Sequence, residues 1–208
     1  HVPSGDDSGV VSDLSTSTFG GGFRVADDFK VVTGSSITQV CWYGFYFNYA
    51  ATTACVPASG DGAGDSWKVT IYNDSAGLPG TVLSGPQTIL AGSVAKVDTG
   101  VDLNYLARDC RRFQYTATLP SAVAVAPGTC YWIEIVNTTT GGCLWHWETS
   151  STMGNSVSVQ KPGGGPAGNS NWYSFDLATD DFSFCLPGLR IDNLDCGLPL
   201  GRCCVYPP

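Results

Sequence analysis

Between Cys130 and Glu148 the chain reads CYWIEIVNTTTGGCLWHWE, two runs in which aromatic and β-branched residues alternate with others, joined by a Thr-Thr-Thr-Gly-Gly stretch. A period of two sends successive side chains to opposite faces of a strand. The turn-forming stretch between the runs predicts a β-hairpin. With Asn137 opposite Cys143, the predicted pairs are Val136 with Leu144, Glu134 with His146, and Trp132 with Glu148. One face is then an apolar wall of Tyr131, Ile133, Ile135, Trp145 and Trp147. The other gathers Trp132, Glu134, His146 and Glu148, close enough across two strands to act together. A one-residue slip would bury the charges, so the alternation itself favours this register. That polar face holds both glutamates of the chain and its only histidine besides His1. It is the first place to look for a ligand or a partner.

The same period recurs along the chain. Strand-like runs at residues 29–32, 37–49, 67–72, 94–98, 113–119, 131–136, 144–149, 157–160, 172–177 and 182–186 are separated by Gly and Pro signals every ten or so residues. Only 13% of residues are charged, and no run repeats at the helical 3.6 spacing. The reading is all-β: an antiparallel, jelly-roll-like β-sandwich with almost no helix. Residues 24–187 form the sandwich, residues 1–23 an N-terminal arm or edge strand, and residues 188–208 a cysteine-rich tail.

A formal charge of −8, with ten scattered basic residues, argues against nucleic acid. No apolar run approaches the ~18 residues of a membrane span, so insertion into a bilayer is not expected. Nine cysteines, Cys41, Cys55, Cys110, Cys130, Cys143, Cys185, Cys196, Cys203 and Cys204, contain no CxxC pair. They read as a disulfide framework, which places the protein in an oxidising compartment, secreted or at the cell surface. The odd count leaves one thiol without a partner in this chain. In the predicted hairpin Cys130 and Cys143 are too far offset to bond each other, so each staples the hairpin to a different segment. No signal peptide is visible, so a secreted protein would begin, in its mature form, at His1.

The succession VADDF, SITQVCWYGFYF, WKVTIYNDSAGLPGTVL and, after an APGT turn, YWIEI resembles a module that recurs in large secreted and surface proteins of environmental bacteria. The resemblance covers roughly residues 24–187 and implies a jelly-roll-type sandwich, with no catalytic motif to carry over. At the C-terminus GRCC, residues 201–204, is similar to the start of short cysteine-rich repeats that follow such modules.

Two carboxylates and a histidine on one sheet face are the minimum for acid–base chemistry, as in a glycoside hydrolase. Here no nucleophile motif and no second nearby histidine accompany them, so no catalytic residue is assigned. An aromatic beside carboxylates better suits a binding surface for a glycan or a neighbouring subunit. His1 with His146 resembles the copper brace of polysaccharide mono-oxygenases, but no other motif of that family can be placed, and copper is not expected. Calcium is the metal best matched to the acidic doublets Asp6–Asp7, Asp27–Asp28 and Asp180–Asp181. Asp27 and Asp28, just before a strand, are the chosen pair, although within a strand they would point to opposite faces. Asn73 and Asn137 head glycosylation sequons in predicted exposed turns.

The function expected is that of a secreted, non-catalytic structural or adhesive module that self-associates. The arm segment GVVSDLSTSTF adding a strand to a neighbour's sheet would propagate into a filament. A carbohydrate-binding or calcium-dependent adhesion domain is the alternative.

Overall fold

The computed structural model describes residues 9–15, 22–55, 65–139, 142–150, 158–162, 172–174 and 181–192. His1, Asp6, Asp7, Asp180, Cys196, Cys203, Cys204 and the GRCC tail lie outside the described residues, and with them the copper brace and two of the acidic doublets. Strands are numbered in chain order. An eight-stranded sheet runs β1 (Gly9–Val11), β10 (Leu144–Ser150), β3 (Ser36–Asn48), β8 (Arg108–Ala124), β7 (Val94–Tyr105). On β3 it also carries β4 (Thr53–Ala54) and β14 (Phe184–Cys185), and on β10 it carries β13 (Asp181–Phe182). The second sheet runs β12 (Tyr173–Ser174), β11 (Ser158–Pro162), β2 (Phe23–Thr33), β9 (Cys130–Val136), β5 (Ser66–Asp74), β6 (Pro79–Leu90), with β15 (Arg190–Asp192) on β2. Among the described residues all strand pairs are antiparallel, and a 3-10 turn, Ala91–Ser93, joins β6 to β7. The all-β sandwich expected from the alternation is what forms.

The hairpin is not. β9 pairs with β2 and β5, whereas β10 pairs with β1 and β3, so the two runs lie in different sheets. None of the pairs Val136–Leu144, Glu134–His146 or Trp132–Glu148 exists. Tyr131, Ile133 and Ile135 from one sheet and Trp145 and Trp147 from the other meet in one core instead. Alternation specifies which side chains face inward but is blind to whether two apolar rows lie side by side or face to face. What separates the runs here is anchoring at both ends of the connection. Asn137 N donates to Ser12 O at 3.0 Å, while Cys143 is disulfide-bonded to Cys55.

The core is aromatic. Trp42 stacks on Tyr115 at 5.5 Å between centroids, Trp67 meets Trp145 edge-on at 4.7 Å, and Trp147 lies 4.9 Å from Phe182. Gly44 on β3 leaves the space that the Trp145 indole fills, since a Cβ there would meet the indole and the His146 carbonyl. Each large ring removes roughly 150–250 Å² from water, which makes this layer the main source of hydrophobic stabilisation.

Pro120, which follows the run expected at residues 113–119, lies within β8, where the pairing jumps from Gln39 with Thr118 to Ile37 with Val123. The bulge takes the proline out of the ladder, where its missing N–H costs nothing. In the N-terminal segment β1 is an edge strand of the eight-stranded sheet, one of the two forms expected for residues 1–23. Val10 pairs with Trp147, and Ser12 reaches both sheets, its N donating to Trp145 O at 3.2 Å and its Oγ to Ile135 O at 2.6 Å. On the far side Gln87 of β6 exchanges two hydrogen bonds with the main chain of Ser121 on β8, tying the sheets a second time. Disulfides Cys41–Cys185 and Cys55–Cys143 brace the fold, and Cys130 is disulfide-bonded as well. Cys143 and Cys130 are not bonded to each other, although the hairpin offset from which this was expected does not exist.

Candidate functional site

The four residues read as one face are divided between the two outer surfaces of the sandwich. Since Tyr131, Ile133 and Ile135 point inward, Trp132 and Glu134 point outward from the seven-stranded sheet; since Trp145 and Trp147 point inward, His146 and Glu148 point outward from the other. The structure brings Trp132 together with Glu134, and His146 with Glu148, but not the two pairs. All four are buried.

Glu134 stands between Ala26 on β2 and Thr70 on β5. Its Oε1 accepts from Arg24 Nη2 at 2.8 Å and from Thr70 Oγ1 at 3.2 Å, and its Oε2 accepts from the Tyr72 hydroxyl at 2.9 Å. Burial, then the adjoining Glu134 charge, raises the Tyr72 phenol well above its ordinary value, which keeps it a donor. Trp132 packs with Ala26, Tyr72 and Val159 and donates from Nε1 to Asp74 Oδ1 at 2.9 Å. Its ring is enclosed; the accessible aromatic here is the half-buried Trp172, edge-on to Tyr72 at 5.9 Å.

On the other surface His146 stacks on Phe45 at 4.9 Å, with Phe47 and Tyr105 around it. Nδ1 lies 3.0 Å from Leu144 O and Nε2 lies 2.9 Å from the Tyr49 hydroxyl, which is 2.8 Å from that of Tyr105. A carbonyl can only accept, so Nδ1 carries the proton, Nε2 accepts from Tyr49, and Tyr49 accepts from Tyr105. Burial lowers the imidazole to about 3, so His146 is neutral. Glu148 is held by Arg112 in a two-pronged ion pair at 2.6 and 3.0 Å. Cys110, the one free thiol among the described residues, is buried beside this aromatic group, and burial pushes it up to about 11. A thiol so raised is a poor nucleophile.

Asp27 and Asp28 point to opposite faces. Asp27 lies inward, with Oδ2 accepting from Phe182 N at 2.9 Å and Oδ1 from Asp28 N at 3.1 Å. Its burial, then Asp181, then Asp28, raises its carboxyl strongly. Among the described residues no group of three or more His, Cys, Asp or Glu side chains is arranged to hold a metal ion. Of the sequons, Asn73 is partly exposed and donates to Thr81 Oγ1, but Asn137 is fully buried in an isolated bridge with Asp13, not in the exposed turn expected for it.

Sequence reasoning missed the residues that complete these networks: Arg24, Tyr72, Arg112, Tyr49 and Asp13. The signal available for Arg24 was its distance of two residues from Ala26 along a strand, which puts it on the Glu134 face once β2 is known to lie beside β9. For Asp13 there was none beyond its place in a Ser-Asp pair.

The arrangement gives each outer-face acid and imidazole an internal partner. Fixed, satisfied groups of this kind hold strands in register. The disulfides indicate an oxidising environment, and no helix of the described residues is long and apolar enough to cross a membrane. No curated protein and no solved structure matches the chain. One family model does, over residues 7–187. The match opens inside the N-terminal segment, in keeping with the place of residues 9–15 in the sandwich, and stops short of the GRCC tail. The chain therefore belongs to the family described as a domain of unknown function, DUF7901.

Proposed function

We propose that this domain is a secreted, non-catalytic structural or adhesive module that associates with copies of itself at a cell surface or in an extracellular assembly. One observation carries the reading. Among the described residues the exposed large hydrophobic side chains, Leu78, Val82, Leu83, Leu90, Val97, Val101 and Leu106, all fall between residues 78 and 106. That segment is β6, the 3-10 turn and β7, and these two strands end the two sheets on the same side. Unpaired sheet edges bearing apolar side chains are templates for another chain. The turn from β7 to β8 adds to the argument. Leu106 and Ala107 have φ of 49° and 59°, the two left-handed central positions that Asn-Gly fills in such turns, and Leu106 is 56% exposed. A leucine there is strained by about 1–2 kcal/mol and faces water, which folding alone does not favour.

Leu106→Asn is therefore expected to raise stability by about 1 kcal/mol while weakening self-association, two effects of opposite sign. Sedimentation velocity of the intact chain over a concentration series, with thermal unfolding alongside, reads both. The addition of Val97→Lys should leave a monomer. A wild-type protein that is monomeric at every concentration, or a Leu106→Asn variant that associates as the wild type does, contradicts the reading.

A further inference from the structure

We propose a second activity, independent of the sheet edges: the outer face of the seven-stranded sheet binds an acidic saccharide, with Arg24 and Lys161 taking its carboxylate and Trp172 contacting a sugar ring. Lys161 and Arg24 are directly opposed across β11 and β2. Like charges in opposed positions destabilise a sheet. Glu134 is hydrogen-bonded to one of them, through Arg24 Nη2, and its charge also favours the Lys161 ammonium. The buried Nε of Arg24 has no hydrogen-bond partner. Lys161 makes no ion pair among the described residues; its ammonium lies 4.3 Å from the centroid of the Trp172 ring. Lys68, opposite Val136 on the same face, adds a third cation two positions from Glu134. Arg24 and Lys161 thus face each other beside the buried Glu134, a pair of cations that an anion would complete; the other carboxylates of this face, Asp28 and Asp74, lie at Trp132. Burial, then Arg24, lowers the Lys161 ammonium while Glu134 opposes them, and a bound anion would act in the same direction as Glu134.

The floor of this surface favours a saccharide over an acidic peptide. Arg24 is 24% exposed on its side chain, and Lys161 and Trp172 are half-buried, so all three can be reached. Trp172 places an aromatic ring beside the cations and edge-on to Tyr72, whose hydroxyl is bonded to the buried Glu134 that anchors Arg24. An aromatic ring beside two reachable cations is what a uronic acid residue, apolar on one ring face and charged at one carbon, can satisfy at once.

The test uses the intact chain and three probes followed by calorimetry: a galacturonic acid oligomer, its neutral methyl ester, and a glutamate oligomer of equal charge. The acidic oligomer should bind, the ester about tenfold or more weaker, consistent with loss of a charge-assisted contact, and the affinity should fall with salt. Lys161→Gln and Trp172→Ala should each weaken binding by about tenfold with an unchanged far-ultraviolet spectrum. If Trp172→Ala disturbs the sheet, Lys161→Gln alone decides. Failure of the acidic oligomer to bind, equal binding of the ester or of the glutamate oligomer, or full affinity in Lys161→Gln overturns the proposal. None of these outcomes depends on the oligomeric state, so the two proposals fail separately.

Discussion

Asp13→Ala is expected to lower the unfolding free energy by on the order of 3 kcal/mol or more, because three buried main-chain amides lose their acceptor at about 1–3 kcal/mol each. Those amides are Ser15 N at 2.8 Å and Thr139 N at 3.3 Å on Oδ1, and Trp145 N at 2.9 Å on Oδ2. They belong to the N-terminal segment, the chain after β9 and the start of β10, so one carboxylate fixes three segments. Asp13→Asn keeps one acceptor oxygen and should recover part of the loss. Urea unfolding measures both. A midpoint for Asp13→Ala equivalent to less than about 1 kcal/mol of destabilisation would show the node to be solvated and the segment detachable. The result bears on assembly. Trimming residues 1–23, the obvious test of strand donation by the arm, removes Ser12 and Asp13 and is expected to unfold the sandwich, so its loss of assembly would carry no information. Substitutions on β7 and at Leu106 leave the node intact.

Arg112→Met is the second large effect. Glu148 is fully buried and Arg112 is 13% exposed on its side chain, so removal of the guanidinium leaves a buried carboxylate without its counter-charge, at about 3–5 kcal/mol. Adding Glu148→Leu should restore much of that loss, since an apolar pair of similar volume carries no desolvation cost. Chemical denaturation of the single and double variants reads the pattern. An Arg112→Met variant within about 1 kcal/mol of wild type would mean that solvent screens the pair.

These two networks show where the sequence was readable. Inward and outward positions along β9 and β10 followed directly from alternation, so Tyr131, Ile133, Ile135, Trp145 and Trp147 were identified as core. Their partners were not, because a period of two contains no information on which strand lies alongside. The Thr-Thr-Thr-Gly-Gly connection suggested a tight turn, yet its ends are held by Ser12 and by Cys55, residues some 125 and 88 positions away in sequence. Long-range anchors of that kind leave no local trace. Likewise Trp132 had the composition of a binding platform, but Trp172 and Tyr72 enclose it, and Trp172 lies forty positions further on. The polar outer residues looked like a site because they are rare in this chain; they are rare because each needs a specific buried partner.

The division of Glu134 and His146 between opposite surfaces is the central structural claim, and a double-mutant cycle tests it most directly. Glu134→Gln, His146→Gln and the double variant, compared by urea unfolding, should be additive to within about 0.5 kcal/mol, as for residues that share no partner. A coupling of about 1 kcal/mol or more would mean that the two side chains are neighbours across a hairpin, and would contradict the fold described here.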